Sequence, residues 1–449
     1  MTRLFLLHSA YGLATAAAAI DEGIFDGEQE NVLLAVNTAR VPETTTGIDV
    51  LPGLAGLRAR FARVESLDEL LSPRHPSSWK PPSADAPLLR RLLTRVWGLD
   101  DDVELCVQSP QVAPARTLLG LFPDARITVV GDGLMTYSPI RVALGRTTVE
   151  RVGRVVYADV APGVAPLVFT EAGAARVPVL PARFRAALEE TAAEDPQLDM
   201  LADGTRTALV LGQYLAALGL VSPAEEIAMQ QEMIDRAMAA DPERIVFKPH
   251  PSAPPAVTDA LRQRVRRRGV AFAEHRGPTA AELVAERLDA AVVVAGFSTA
   301  LPTVSTLYGR PIASAGLASV LRRLEPYENS NRVPATIVDA LTREHSPYRE
   351  PAQLQLLVDA VGYAMQPRIA EHLRPRAVQL LEGLDAAERD RYFSPARLSA
   401  LALPGAPRER MIRRALRSGG GVGRVEELRL TIAGARRRAG RAWKAVRGR

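Results

Sequence analysis

Residues 244–251, Arg-Ile-Val-Phe-Lys-Pro-His-Pro, form a short apolar run that stops at a Lys-Pro-His-Pro turn. The run reads as a buried strand. The turn then delivers His250 to the carboxyl edge of a sheet, where ligands sit in open α/β folds. Histidine is the side chain whose charge moves most easily near neutral pH, so His250 is a candidate for handling a charged group. A second His-Pro, His75-Pro76, lies in Ser-Pro-Arg-His-Pro-Ser-Ser-Trp-Lys-Pro-Pro with no strand before it. With 6 His and 34 Pro in the chain, one chance pair is unsurprising. Context, not the dipeptide, separates His250 from His75.

Outward from this strand, apolar runs alternate with longer helical patterns. Leu4–Leu7, Asn31–Val36, Val103–Val107 and Arg126–Val130 read as strands, with helices such as Gly12–Ala19 and Ala113–Leu121 between them. A second series follows the polar stretch 192–204: Thr207–Leu211, Ile245–Phe247, Val270–Ala273, Ala291–Ala295 and Pro311–Ala313. Strand and helix in alternation imply parallel sheets. The expectation is an α/β chain with two Rossmann-like halves, 1–200 and 205–345. A helical segment over 350–404 is expected to pack on the two halves, followed by a basic tail over 405–449. The Pro-rich stretch 73–86 reads as an irregular surface loop.

A chain of 449 residues with 47% hydrophobic content is long enough for two domains. Its single cysteine, Cys106, excludes an intramolecular disulfide and fits a reducing compartment. No apolar run approaches the roughly 20 residues of a membrane span. His8 ends the first apolar stretch after four residues, so a strand is expected there rather than a signal peptide. From Gly405 onward, fourteen Lys/Arg stand against three Glu, so residues 1–404 carry −6 of the net +5. The global basicity belongs to the tail.

Several groups can carry chemistry. Arg126-Ile-Thr-Val-Val-Gly-Asp-Gly places Asp132 just past a strand and between glycines, as a general base or as part of an ordinary turn. His250, with Lys248 adding positive potential, can stabilise a leaving phosphate or simply bond backbone at a Pro-fixed turn. Gly296-Phe-Ser298-Thr299 follows an apolar strand and opens a helix, which offers free amides and two hydroxyls to an anion. N-capping by Ser298 or Thr299 is compatible with that use. Glu282 can accept from two sugar hydroxyls, while Thr279 with Glu282 also reads as a capping box. Ser9 and Gln213 occupy similar strand-edge positions. The sequence contains no Cys/His metal spacing, P-loop or nucleophile elbow.

In this order, Gly131-Asp132-Gly133, Lys-Pro-His250-Pro, Pro278-x-x-x-Glu282-Leu and Gly296-Phe-Ser298-Thr299 resemble the motifs of bacterial sialyltransferases, most closely the α-2,8-polysialyltransferase family. The resemblance covers roughly residues 1–345. It implies a GT-B fold, two Rossmann-like domains facing a cleft, and an inverting transfer from CMP-sialic acid or a related CMP-activated nonulosonic acid to a glycan or glycolipid acceptor. Under it Asp132 is the base and His250 binds the CMP phosphate and assists its departure. Ser298 and Thr299 hold that phosphate, Glu282 binds the ribose, and no metal or other cofactor is required. One departure is visible: Gly131 stands where the family usually has a second carboxylate.

In the tail, Val425, Leu428, Ile432, Ala435, Ala439, Ala442 and Val446 recur at three and four, with Arg429, Arg436, Arg437, Arg438, Arg441 and Lys444 on other faces. This is the pattern of a cationic helix lying on an anionic membrane surface. A solvated tail is the plainer reading, and the single tail aromatic, Trp443, does not suit nucleic-acid binding. The expected location is cytoplasmic, attached peripherally to the inner face of the cell membrane. A CMP-Kdo or CDP-polyol transferase is the nearest competing enzyme. A catalytically silent glycan-binding protein is the competing reading from another class.

Overall fold

A computed structural model describes residues 2–407 except 40–44, 101, 193, 214, 217, 218, 220 and 251–254. The expected tail helix from Val425 therefore lies outside the described residues. The chain divides into two compact units, Met1–Leu380 and Leu381–Arg449.

The first unit holds two parallel sheets. The larger contains β1 (Thr2–Leu7), β2 (Glu30–Ala35), β3 (Arg63–Ser66), β4 (Val103–Val107), β5 (Arg126–Val130), β6 (Val152–Ala158) and β7 (Ala175–Val179). They lie in the order β3-β2-β1-β4-β5-β6-β7. The smaller contains β8 (Thr207–Leu211), β9 (Arg244–Lys248), β10 (Ala271–Glu274), β11 (Val292–Ala295) and β12 (Ile312–Ser314), in the order β10-β9-β8-β11-β12. Each sheet turns back on itself beside its first strand, at β1/β4 and at β8/β11. These switch points open ligand crevices at the carboxyl ends of the strands. The fold is that of a GT-B protein, with two Rossmann-like halves.

The apolar runs become strands because helices cover both faces, so every residue of β1, β4 and β8 is buried. Three strands escape the apolar-run criterion. β3 is a mostly polar edge strand, Arg-Val-Glu-Ser. β7 carries Pro178, which an edge tolerates because it needs one fewer ladder donor. β6 is broken by Gly153-Arg154, and Arg154 reaches inward to Glu104 and Thr128. Glu104 also pairs with Arg3 at 3.2 Å, both side chains being nearly enclosed. Burial pushes the Glu104 carboxyl up, but Thr128, Arg154 and Arg3 together hold it below the usual range. Cys106 is buried in β4.

The Pro-rich loop contains two short 3-10 turns, Pro76–Ser78 and Ser83–Asp85, and His75 caps the first by accepting from the Ser77 amide. The helix expected from Ala113 begins at Ala115. The segment expected as one helical piece over 350–404 is shared between the units. The helix Pro351–Met365 belongs to the first, and Ala386–Tyr392 and Pro395–Leu401 to the second, capped by Asp385 and Ser394.

Candidate active site

Three neighbouring strands of the large sheet, β1, β4 and β5, end in Ser9, Gln108 and Asp132. The Ser9 hydroxyl caps helix α1 (Ala10–Asp21) by accepting from the Gly12 amide at 3.0 Å, and also accepts from Gln108 Nε2 at 3.1 Å. It donates its proton to Asp132 Oδ1 at 3.0 Å. The Asp132 amide donates to Thr136 Oγ1 at 2.7 Å, which fixes the turn after β5. Asp132 is half-buried, and its Oδ2 makes no hydrogen bond among the described residues. This carboxylate is oriented by one oxygen and open at the other, as a general base requires.

Gly131 and Gly133 flank it for different reasons. A Cβ on Gly131 would lie 2.9 Å from Tyr157 Cβ and 3.2 Å from Tyr157 Cα, so there is no room for a second carboxylate there. Gly133 has φ +55°, and its missing Cβ would lie 2.5 Å from Thr299 Cγ2. The turn that carries Asp132 thus touches the loop after β11.

That loop is built on Gln213, which follows β8. Gln213 Oε1 accepts from the Phe297 amide at 3.0 Å, and its Nε2 donates to the Phe297 carbonyl. This grip spans the β8/β11 switch point. It leaves the amides of Ser298 and Thr299 and the Thr299 hydroxyl without hydrogen bonds among the described residues. The helix Ala300–Tyr308 starts immediately after, with Ser298 Oγ accepting from the Ala300 amide at 3.2 Å. Free amides, hydroxyls and a helix N-terminus offer donors that an anion could use. Gln213 shapes this loop through both atoms of its amide.

His250 is exposed at the carboxyl end of β9, next to β8 in the sheet. Lys248 points elsewhere. Its Nζ donates to the Gly277 carbonyl at 2.9 Å and sits 3.4 Å from His275 Nδ1, while His275 Nε2 lies 2.8 Å from Asp195 Oδ2. Both His275 and Asp195 are buried. Burial and the neighbouring ammonium hold His275 below its ordinary pKa, so the neutral ring donates to Asp195 and accepts from Lys248. Asp195 stays ionised despite burial because Thr279, the Leu198 amide and His275 all donate to it. The capping box read at Thr279 and Glu282 does not form: the helix Ala281–Arg287 is capped by Ala280 without a side-chain bond. The Thr279 hydroxyl spends its proton on Asp195 at 2.7 Å instead. Asp195 lies eighty residues upstream in a polar stretch, which hid this network from sequence reasoning.

Glu282 opens that helix. Burial pushes its carboxyl above the usual range, while Lys248 pulls it down. Lys248 is in turn lowered by burial and raised by Asp195 and Glu282. Tyr11, on α1, was not expected at the site. Its hydroxyl is buried beside the Thr303 side chain, without a well-formed hydrogen bond among the described residues. Burial drives its pKa far up, Thr303 lowers it, and the charges of Glu282 and Asp132 raise it again. Tyr11 therefore feels carboxylates from both halves. Among the described residues no three His, Cys, Asp or Glu side chains cluster as metal ligands.

Residues 3–316 match the family described as α-2,8-polysialyltransferase (POLYST). No curated protein matches the chain in sequence. Among solved structures, the chain is similar to the GT-B domain of a sialyltransferase from Photobacterium damselae, at 10% identity and a TM-score of 0.40, covering 77% of this chain and 99% of that one. It is also similar to Medicago truncatula UGT71G1 complexed with UDP-glucose, at 9% identity and a TM-score of 0.44, covering 83% and 98%. With most of both sheets and all four strand-edge motifs inside the matched residues, this chain belongs to the α-2,8-polysialyltransferase family and is a sialyltransferase-like glycosyltransferase.

Proposed function

We propose that the protein transfers sialic acid, or a related nonulosonic acid, from a CMP-activated donor to a glycan hydroxyl with inversion. The contact between Gly133 and Thr299 supports this reading, because it brings the turn that bears Asp132 against the loop that bears Ser298 and Thr299. Asp132 Oδ2 takes the proton of the acceptor hydroxyl. The acceptor oxygen then bonds to the anomeric carbon as the bond from that carbon to the phosphate oxygen breaks. The charge left on CMP is met by Ser298, Thr299 and His250, with protein donors neutralising the phosphate in place of a metal. Glu282 accepts from the ribose hydroxyls. In this scheme residues 1–200 hold the acceptor and 205–345 the donor.

Lys248, Gln213, Gly296 and Ser9 position these groups. Lys248 ties β9 to the loop before Glu282, Gln213 shapes the loop at Gly296, and Ser9 orients Asp132. The basic tail anchors the enzyme on the inner face of the cell membrane, where a capsule or other surface glycan is extended. Among the described residues no helix is long and apolar enough to cross a membrane.

CMP release from CMP-sialic acid with a sialylated acceptor tests the reading. Asp132→Asn is expected to lower turnover roughly 10²–10⁴-fold, as loss of a general base does. His250→Ala is expected to lower it roughly 10²–10³-fold. Wild-type turnover that survives both substitutions sinks the site assignment. Release of CMP only from CMP-Kdo, or of CMP from a CDP-polyol, moves the donor to that class. A second reading, a silent glycan-binding protein, is favoured by the closed position at Gly131. Donor binding without any turnover decides for it.

A further inference from the structure

The helix Ala86–Val96 carries leucines on two faces. Leu93 is buried and continues into buried Trp97 and Leu99. Leu88, Leu92 and Val96, spaced at i, i+4 and i+8, form a second apolar stripe that is 61%, 50% and 58% exposed. Arg91 and Arg95 border this stripe and make no ion pair among the described residues, whereas Arg90 on another side pairs with Asp124 at 2.9 Å. Beyond the two arginines, Pro87, Arg90, Arg91, Thr94 and Arg95 line an open cavity of about 880 Å³.

An exposed stripe of two leucines and a valine beside guanidiniums without ion pairs among the described residues is costly in water and matched by a bilayer. Acyl chains take the apolar stripe, and anionic headgroups take the arginines. Charge argues against the other occupants. A second copy would set the same arginines against each other in a two-fold contact. The basic residues of 408–449 carry the same sign. A nucleic acid would use the arginines but leave the stripe wet.

We infer that the helix Ala86–Val96 is a membrane-docking element, which inserts Leu88, Leu92 and Val96 into the surface of an anionic bilayer while Arg91 and Arg95 bind lipid phosphates. It deepens the surface attachment proposed above by adding a second contact to that of the tail, and its failure is separable from that reading.

The test uses the full chain labelled with an environment-sensitive fluorophore at Leu92→Cys, since the native Cys106 is buried. The control carries the label at Arg146→Cys, whose native side chain is 91% exposed. Vesicles contain equal parts phosphatidylcholine and phosphatidylglycerol. The expected result is a blue shift at position 92, none at 146, and none with phosphatidylcholine alone. In the unlabelled chain, Leu88→Ser with Leu92→Ser should weaken co-sedimentation at least roughly tenfold, and Arg91→Gln roughly fivefold, with turnover on a soluble acceptor unchanged. Co-sedimentation without a shift at 92 overturns this inference and leaves the tail as sole anchor; no co-sedimentation overturns both. A shift that appears without vesicles and grows with protein concentration overturns it in favour of a second copy.

Discussion

Gly133 and Thr299 touch across the two halves of the enzyme: a Cβ on Gly133 would lie 2.5 Å from Thr299 Cγ2 and 3.2 Å from its Oγ1. One missing methyl thus joins the turn bearing the proposed base to the loop bearing the proposed phosphate site. Gly133 is also left-handed, with φ +55°, so a side chain there costs about 1–2 kcal/mol before any clash. Gly133→Ala should lower Tm and reduce turnover more than tenfold. Thr299→Ser removes the clashing Cγ2 and keeps the hydroxyl. It should recover part of the lost turnover in the double variant, which a cycle of four Tm and rate measurements would reveal. Equal, additive losses would mean that the contact does not couple the halves.

Gly131→Asp restores the carboxylate usual in the family, yet no activity gain is expected. Its Cβ would press on Tyr157 Cβ and Cα, and the backbone of β6 cannot retreat as a flexible side chain could. The variant should unfold at lower temperature with turnover unchanged or reduced. A rise in turnover would show that the first acid, not Asp132, is the better base.

Removing the acceptor of the buried network tests how the loop before Glu282 is held. Asp195→Ala leaves His275 Nε2, Thr279 Oγ1 and the Leu198 amide without their partner. Each such donor costs about 1–3 kcal/mol when buried. The folded protein that remains should show a raised donor KM with a smaller change in kcat, because the loop before Glu282, which Lys248 ties to β9, is no longer held. A fall in kcat alone would place the network in the chemistry rather than in donor binding.

The strand ends were legible because buried parallel strands leave continuous apolar runs, and the residue after each run is forced to the carboxyl edge. Asp132, His250, Gln213 and the Ser298-Thr299 pair follow from that rule. What the rule cannot show is which edge group faces a ligand and which is consumed internally. Gln213 spends both amide atoms on Phe297, and Lys248 bonds Gly277. Asp195, His275 and Thr279 meet only through tertiary packing, since neither half of their network has a local spacing to detect. Tyr11 sits in an alanine-rich helix where a lone aromatic reads as core, and only its buried hydroxyl, near Thr303 and the charges of Glu282 and Asp132, marks it out. Polar or interrupted strands, β3, β6 and β7, were lost for the converse reason: β3 and β7 are half-exposed edge strands that need no apolar run, and Gly153-Arg154 breaks the run of β6.

Glu282 gives a pH dependence in which binding and stability move in opposite directions. Burial holds its folded pKa above that of the unfolded chain, where the group is solvated. The native state therefore favours the protonated acid. The resulting stabilisation is complete below the unfolded pKa and is lost as pH rises through the folded one. Two ribose hydroxyls, however, both need an acceptor, and only the carboxylate accepts twice. Donor KM should thus fall as pH rises through the same window, above the ordinary glutamate value, while the apo enzyme becomes less stable. Glu282→Gln should flatten both limbs, with a KM fixed near the low-pH value of the wild type. Steady-state donor titration and thermal unfolding, run across one pH series, read the two quantities independently. A KM limb that persists in Glu282→Gln would assign the titration to another group.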